Sequence, residues 1–180
     1  NTCLPLVRVL EGNEFFCKNA LDAGAAGVVA PDIRSADQLE KVISWCCWPP
    51  TGRRGVGFSR ANLFGKNFDF YRKEAQIPFI VAQIEHVDAI KNLEEILKVP
   101  GLDAIIIGPY DLSASMGITG QFDHKHYLHV INEYEEMMKD TNFPFGIHIV
   151  QPHENVLKEK IKKGYLFNGY GTDALFLINA

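Results

Sequence analysis

Two carboxylates stand where apolar strands give out. Phe79-Ile80-Val81-Ala82 runs into Gln83-Ile84-Glu85, and Ala104-Ile105-Ile106-Ile107 runs into Gly108-Pro109-Tyr110-Asp111. Between them Ala89, Ile90, Leu93, Ile96 and Leu97 recur at the spacing of a helix with one buried face. Strand, helix and strand over about thirty residues make a βαβ unit, whose strands lie parallel and adjacent. Their carboxyl ends then coincide, and Glu85 and Asp111 share one edge of the sheet. Carboxylates so placed repel, and a divalent cation between them makes the repulsion tolerable. Hard oxygen ligands suit magnesium or manganese. The alternative is that each carboxylate caps the helix after it, Asp111 before Leu112-Ser113 above all.

Other residues converge on this edge. Gln83 shares a face with Glu85, because side chains two apart on a strand point the same way. Arg53 and Arg54 sit in a glycine-flanked loop, placed to clamp an anion with two parallel hydrogen bonds. Gly108-Pro109-Tyr110 lets backbone near Asp111 approach a ligand, although Pro109 has no N–H to give. His86 should face the other way, towards the helical layer or the loop entry. His148 lies mid-strand and reads as a hydrogen-bonded sheet residue. His124, His126 and His129 do not share a helical face and are not read as ligands. Arg60 and Lys66 read as surface charges, and Trp45 and Trp48 as helix-end packing. Cys3, Cys17, Cys46 and Cys47 lack C-x-x-C spacing, so neither a zinc site nor a disulfide framework is expected. Reduced thiols and a cytoplasmic location follow as the default.

The elements that must position these groups alternate. Leu4 to Val9 opens as a strand, and Glu11 to Ala23 is a helix stopped by Gly24. Gly27 to Pro31 is the next strand, followed by a helix with Ser35 as N-cap and Ala36, Leu39, Val42 and Ile43 on its buried side. Thr51 to Lys66 is a long glycine- and arginine-rich connection, of the kind that is usually functional or mobile. Phe68 to Ala75 reads as a short helix, His126 to Lys139 as an amphipathic one, and Pro144 to Val150 as a strand. Glu154 to Lys163 is a helix closed by Gly164, and the sixth strand-like segment lies between Tyr165 and Leu177. This alternation means a parallel α/β architecture, doubly wound or a (β/α)₈ barrel. No G-x-G-x-x-G follows the first strand, and polar residues gather at strand carboxyl ends, which favours the barrel.

At 180 residues, with 47% hydrophobic and 22% charged residues, the chain has the composition of one soluble domain. A formal charge of −4 with no basic stripe argues against a nucleic-acid binder. No apolar run reaches the length of a membrane span. A complete barrel takes about 250 residues and eight units. A fragment, or a chain whose flanking residues are not shown, is therefore expected.

The stretches PLVRV, ALDAGAAGVVAP, WPPTGRRGVG, VAQIE, GLDAIIIGPYDLSASMG and YGTDALFL together resemble the HpcH/HpaI aldolase family, the metal-dependent class II pyruvate aldolases. Members include 4-hydroxy-2-oxoheptanedioate and 2-dehydro-3-deoxyglucarate aldolases. The resemblance implies a single (β/α)₈ TIM-barrel domain over residues 1–180, here lacking about the first two β/α units and the last helix. It implies a divalent metal (magnesium or manganese, with cobalt or zinc as further options) on Glu85 and Asp111. Arg54 would bind the pyruvate carboxylate, Gln83 would lie beside the keto or enolate oxygen, and the backbone around Pro109-Tyr110 would line the carboxylate pocket. The family usually has serine or alanine where Tyr110 stands. Acid–base residues are expected upstream of Asn1, and homo-oligomers, often hexamers, are usual. The activity implied is reversible cleavage of 4-hydroxy-2-oxo acids to pyruvate and an aldehyde. The alternatives are a C–C lyase of the citrate lyase β-subunit or malyl-CoA lyase type, and a non-catalytic barrel that binds metal and keto acid.

Overall fold

The computed structural model describes residues 3–180. Six parallel strands pair in sequence order: β1 Leu6–Arg8, β2 Gly27–Ala30, β3 Phe79–Ile84, β4 Ala104–Ile107, β5 Phe145–Ile149 and β6 Gly169–Tyr170. Helices α1 Glu14–Asp22 and α2 Ala36–Cys46 follow β1 and β2, and α3 Phe68–Glu74 precedes β3. Between β3 and β4 lie α4 Val87–Lys91 and α5 Leu93–Leu97. Beyond β4 come α6 Pro109–Ser115, α7 Lys125–Lys139, α8 Glu154–Lys162 and α9 Asp173–Ile178.

The sheet is curled. Phe79 at the start of β3 stacks on Phe167, just before β6, with ring centroids 6.2 Å apart. Those strands are three ladder steps apart, about 14 Å on a flat sheet. The stack therefore closes across a concave face, where Val81, Ala104 and Ile106 are buried with Leu6, Val29, Phe79 and Phe167 packed on them. Alternate residues go outward: Val28, Ala30, Ile80, Ala82, Ile84, Ile105, Ile107, Phe145, Ile147 and Ile149 form the main core under the helices. Strands buried on both faces are what a parallel sheet covered by helices requires. The described residues thus form an all-parallel, six-stranded half-barrel.

Local signals act as the sequence suggests at several joints. Ser35 accepts from Gln38 N–H and starts α2, and Asn13 does the same for α1 through Phe16 N–H. The expected Ala89–Leu97 helix is interrupted: Asn92 leaves helical geometry, and its side-chain amide donates to Arg34 O at 2.8 Å. That bond ties the β3–β4 connection to the loop after β2, beside the site. On the far side Glu135 accepts from Tyr165 Oη at 2.8 Å and lies 3.2 Å from Lys160 Nζ and 3.1 Å from Lys163 Nζ. This cluster pins α7 to α8 and to the approach of β6.

Candidate active site

Gln83 and Glu85 leave β3 on the concave side; Arg8 comes from the end of β1, two strands away, and Asp111 from the first turn of α6, which follows β4. Glu85 is only 6% exposed. One of its oxygens accepts the backbone N–H of Asp32 at 2.8 Å, and the other accepts the Gln83 side-chain amide. The Gln83 oxygen in turn accepts from Arg8 Nε at 3.4 Å. Arg8, Gln83 and Glu85 therefore form one hydrogen-bonded row across the mouth of the sheet. A cavity of about 330 Å³ opens there, lined by Arg8, Asp32, Arg34, Glu85, His86, Asp111 and Ser115.

Neither carboxylate is a helix cap. His86 is the residue that caps α4, and α6 begins two residues ahead of Asp111, with Gly108 at its N-cap and Pro109 in its first turn. The capping alternative therefore fails for both. Burial raises the Glu85 carboxyl above its ordinary range; the Asp32 N–H and Arg8 oppose this, while Asp111 and Asp32 add to it.

The backbone is shaped to this arrangement. A Cβ on Gly108 would lie 2.5 Å from Glu85 Oε2 and 2.7 Å from Gln83 Nε2, so β4 approaches the carboxylate more closely than any side chain allows. Asp32 adopts a left-handed φ of 51°, a region that few non-glycine residues other than Asn and Asp enter readily. Arg34 grips the Asp32 carboxylate through two hydrogen bonds of 2.7 and 2.8 Å, and Gln38 bonds Asp32 O and Arg34 N–H. The turn is thus fixed where the Asp32 N–H meets Glu85.

The residues fit a hard cation held by few protein groups. Glu85 and Asp111 offer carboxylate oxygens, and among the described residues no three His, Cys, Asp or Glu side chains gather as a closed cage. A two-carboxylate set leaves positions for water and substrate oxygens, as magnesium sites do.

Several expected residues lie elsewhere. Arg54 does not reach this cavity. It is wholly buried behind α1 and α2: Nη2 donates to Tyr71 Oη at 3.1 Å, Nη1 is 4.0 Å from Asp22 Oδ1, and the Trp48 and Tyr71 rings lie against it. Its N–H bonds Cys47 O, which turns the chain inward at that point. Arg53 instead covers the Trp45 ring from outside. Pro109 is buried and the Tyr110 ring packs edge-on against Phe122; both residues line a second cavity towards α7 and β5. The bulk of Tyr110 therefore leaves the Glu85–Asp111 cavity open. His148 lies on the concave face with Nε2 3.4 Å from Gly171 O, as a sheet residue should.

Arg8, Asp32, Arg34 and Ser115 carry no expectation from the sequence. Arg8 was legible, since it ends a strand two residues after an inward Leu6, the same pattern that marks Gln83 and Glu85. His86 leaves the strand and turns into α4, where alternation no longer applies, and it lines the cavity at the loop entry.

A carboxylate pair thus stands at the carboxyl edge of a curled parallel sheet, and comparison with known proteins identifies the family. The HpcH/HpaI aldolase/citrate lyase family model matches residues 1–180. A hydroxypyruvate/pyruvate aldolase of Roseobacter denitrificans is 33% identical over 178 residues, covering 97% of this chain and 68% of that protein. A 4-hydroxy-2-oxo-heptane-1,7-dioate aldolase of Shigella flexneri is also 33% identical, covering 98% and 66%. Among solved structures, a HpcH/HpaI aldolase/citrate lyase family protein from Burkholderia cenocepacia superposes with a TM-score of 0.89 at 28% identity, over 97% of this chain and 69% of that one. The HpcH/HpaI aldolase from Desulfitobacterium hafniense gives 0.82 at 29%, over 97% and 68%. The chain belongs to the HpcH/HpaI aldolase/citrate lyase family. It spans about two thirds of the length of the curated relatives it matches.

Proposed function

We propose that this protein is a carbon–carbon lyase that reversibly cleaves 4-hydroxy-2-oxo acids to pyruvate and an aldehyde. The observation that carries the reading is the row Arg8–Gln83–Glu85 beside Asp111 at the start of α6, a cationic donor next to a pair of acidic groups of which Glu85 is desolvated. Pyruvate has the complementary shape, with a carboxylate at one end and a keto oxygen beside it.

Glu85 and Asp111 hold a divalent cation, magnesium or manganese by the hardness of the donors, with cobalt or zinc as further options. When bound, that cation supplies Lewis-acid stabilisation of the negative charge that develops on the keto oxygen as the C3–C4 bond breaks. Arg8 receives the substrate carboxylate through its outer nitrogens, while Gln83 fixes Nε. It takes the role that the resemblance assigned to Arg54, which we assign to packing. Gln83 orients Glu85 and stands beside the keto oxygen. The Asp32 N–H holds the remaining Glu85 oxygen, so the carboxylate is oriented before substrate arrives. No lysine lines the cavity among the described residues, in keeping with a route that needs no Schiff base.

The surrounding protein we take to be a complete (β/α)₈ barrel in a homo-oligomer. The aldolases among the relatives favour free acids over coenzyme A thioesters, and a thioester substrate panel separates the two. Turnover of 4-hydroxy-2-oxo acids, followed as pyruvate release, tests the reading. It must be lost with EDTA and in Glu85→Ala and Asp111→Ala. Retained turnover in either variant removes the proposed roles.

A further inference from the structure

Aldol cleavage involves a second oxygen, the one on C4, which is a hydroxyl in the oxo acid and a carbonyl in the aldehyde. A carbonyl oxygen needs a hydrogen-bond donor, and the cavity has few to offer. Asp32, Glu85 and Asp111 only accept. Arg8 is tied to Gln83 and faces the carboxylate end, and Arg34 is committed to Asp32 through Nε and Nη2. Ser115 donates to Leu112 O at 2.7 Å and accepts from Val87 N–H. The remaining lining donors are Arg34 Nη1, on a side chain 47% exposed, and the more enclosed ring of His86, 24% exposed.

Its ring is oriented and its tautomer set. Nδ1 accepts the Asp88 backbone N–H at 3.1 Å as the N-cap of α4, so the proton of the neutral ring sits on Nε2. Asp88 Oδ2 lies 3.3 Å from Nδ1, a partner for a protonated ring, which also carries a proton on Nε2. Nε2 makes no hydrogen bond with the described residues. Nε2 therefore carries a proton in either form, and the ring is a donor at the wall that carries Glu85.

We propose that His86 is a further catalytic residue, donating an Nε2–H hydrogen bond to the C4 oxygen and so polarising the aldehyde carbonyl in condensation and stabilising it in cleavage. No proton leaves the ring. This rests on the aldolase reading, because only that reaction puts an oxygen at C4.

Two variants separate donation from capping. His86→Asn keeps an acceptor at the Nδ1 position and is a good N-cap, but it loses the distal donor. His86→Gln reaches the Nε2 position with an amide N–H and loses the cap. The expected result, with 4-hydroxy-2-oxo-heptane-1,7-dioate as probe, is a fall in cleavage of about a hundredfold in His86→Asn, the scale of one lost charge-stabilising donor. Deuterium exchange of the pyruvate methyl, which involves no C4 oxygen, stays within about twofold, and His86→Gln recovers part of the cleavage. Cleavage at the wild-type rate in His86→Asn overturns the proposal, as does equal loss of cleavage and exchange in both variants. A wild-type protein that shows neither reaction instead overturns the aldolase reading.

Discussion

Replacing Gly108 with alanine is expected to disable the site while leaving the fold in place. Gly108 has φ −96° and ψ 94°, a conformation open to alanine, so the substitution acts through space alone. The added methyl would stand 2.5 Å from Glu85 Oε2, 2.7 Å from Gln83 Nε2 and 3.0 Å from Glu85 Cβ. Restoring ordinary contact requires the carboxylate and the amide to retreat by about 1 Å. That movement breaks the Gln83–Glu85 bond and draws Glu85 off the Asp32 N–H. A displacement of this size in a catalytic group costs about a hundredfold in rate. Overpacking of one methyl costs about 1–3 kcal/mol of stability. The assay pairs pyruvate release from a 4-hydroxy-2-oxo acid with urea denaturation of the same preparation. Cooperative unfolding with turnover down about a hundredfold agrees with the geometry. Turnover within twofold of wild type would refute the claim that Glu85 is held in place by the close approach of β4.

Other expectations follow from the same contacts. Arg8→Ala should raise the pyruvate KM by at least about tenfold with little loss of stability, whereas Arg54→Ala should lower stability by about 2 kcal/mol and leave the pyruvate KM of the folded protein unchanged. Urea denaturation and steady-state kinetics on the two variants decide which arginine meets substrate. In the metal-free protein the Glu85 carboxyl should titrate above the ordinary glutamate range, and Asp111→Asn should bring it down but not fully, because burial is the larger cause. Carbon-13 NMR of the carboxyl reads this directly. Since the raised acid must ionise to bind metal, metal affinity should fall as pH drops through that raised value. The Glu135 carboxyl is pushed up by burial, but Tyr165, Lys163 and Lys160 outweigh this and hold it below its usual value. Its contribution to stability is therefore present above the ordinary glutamate pKa of about 4.3 and lost as pH falls through the lower folded value. Glu135→Gln should lower stability at pH 7 and flatten the acid limb of the stability profile.

Much of this site is written in residue spacing. Period-two alternation puts Gln83 and Glu85 on one face, and the βαβ reading puts Asp111 beside them, because parallel strands align their ends whatever lies between. Local caps such as Ser35 are equally legible, being interactions within one turn. Loop residues are not. Arg53 and Arg54 are neighbours in one glycine-flanked stretch, yet one lies on the surface over Trp45 and the other is buried against Trp48 and Tyr71. Their fates depend on α3, which contributes Tyr71 from a later part of the chain. Tyr110 likewise turns towards Phe122, a partner that spacing does not reveal. The role of Asp32 is a backbone one, an N–H aimed at Glu85 by a left-handed φ, and a side-chain inventory has no means of finding it.

The central claim is that Glu85 and Asp111 hold a cation that makes pyruvate enolise beside Arg8. Proton NMR of the pyruvate methyl in D₂O tests it without any assumption about the aldehyde. The account predicts deuterium uptake that requires magnesium or manganese, stops with EDTA, and is lost in Glu85→Gln and in Asp111→Asn. Exchange that continues in EDTA, or that survives in either variant with metal present, contradicts it.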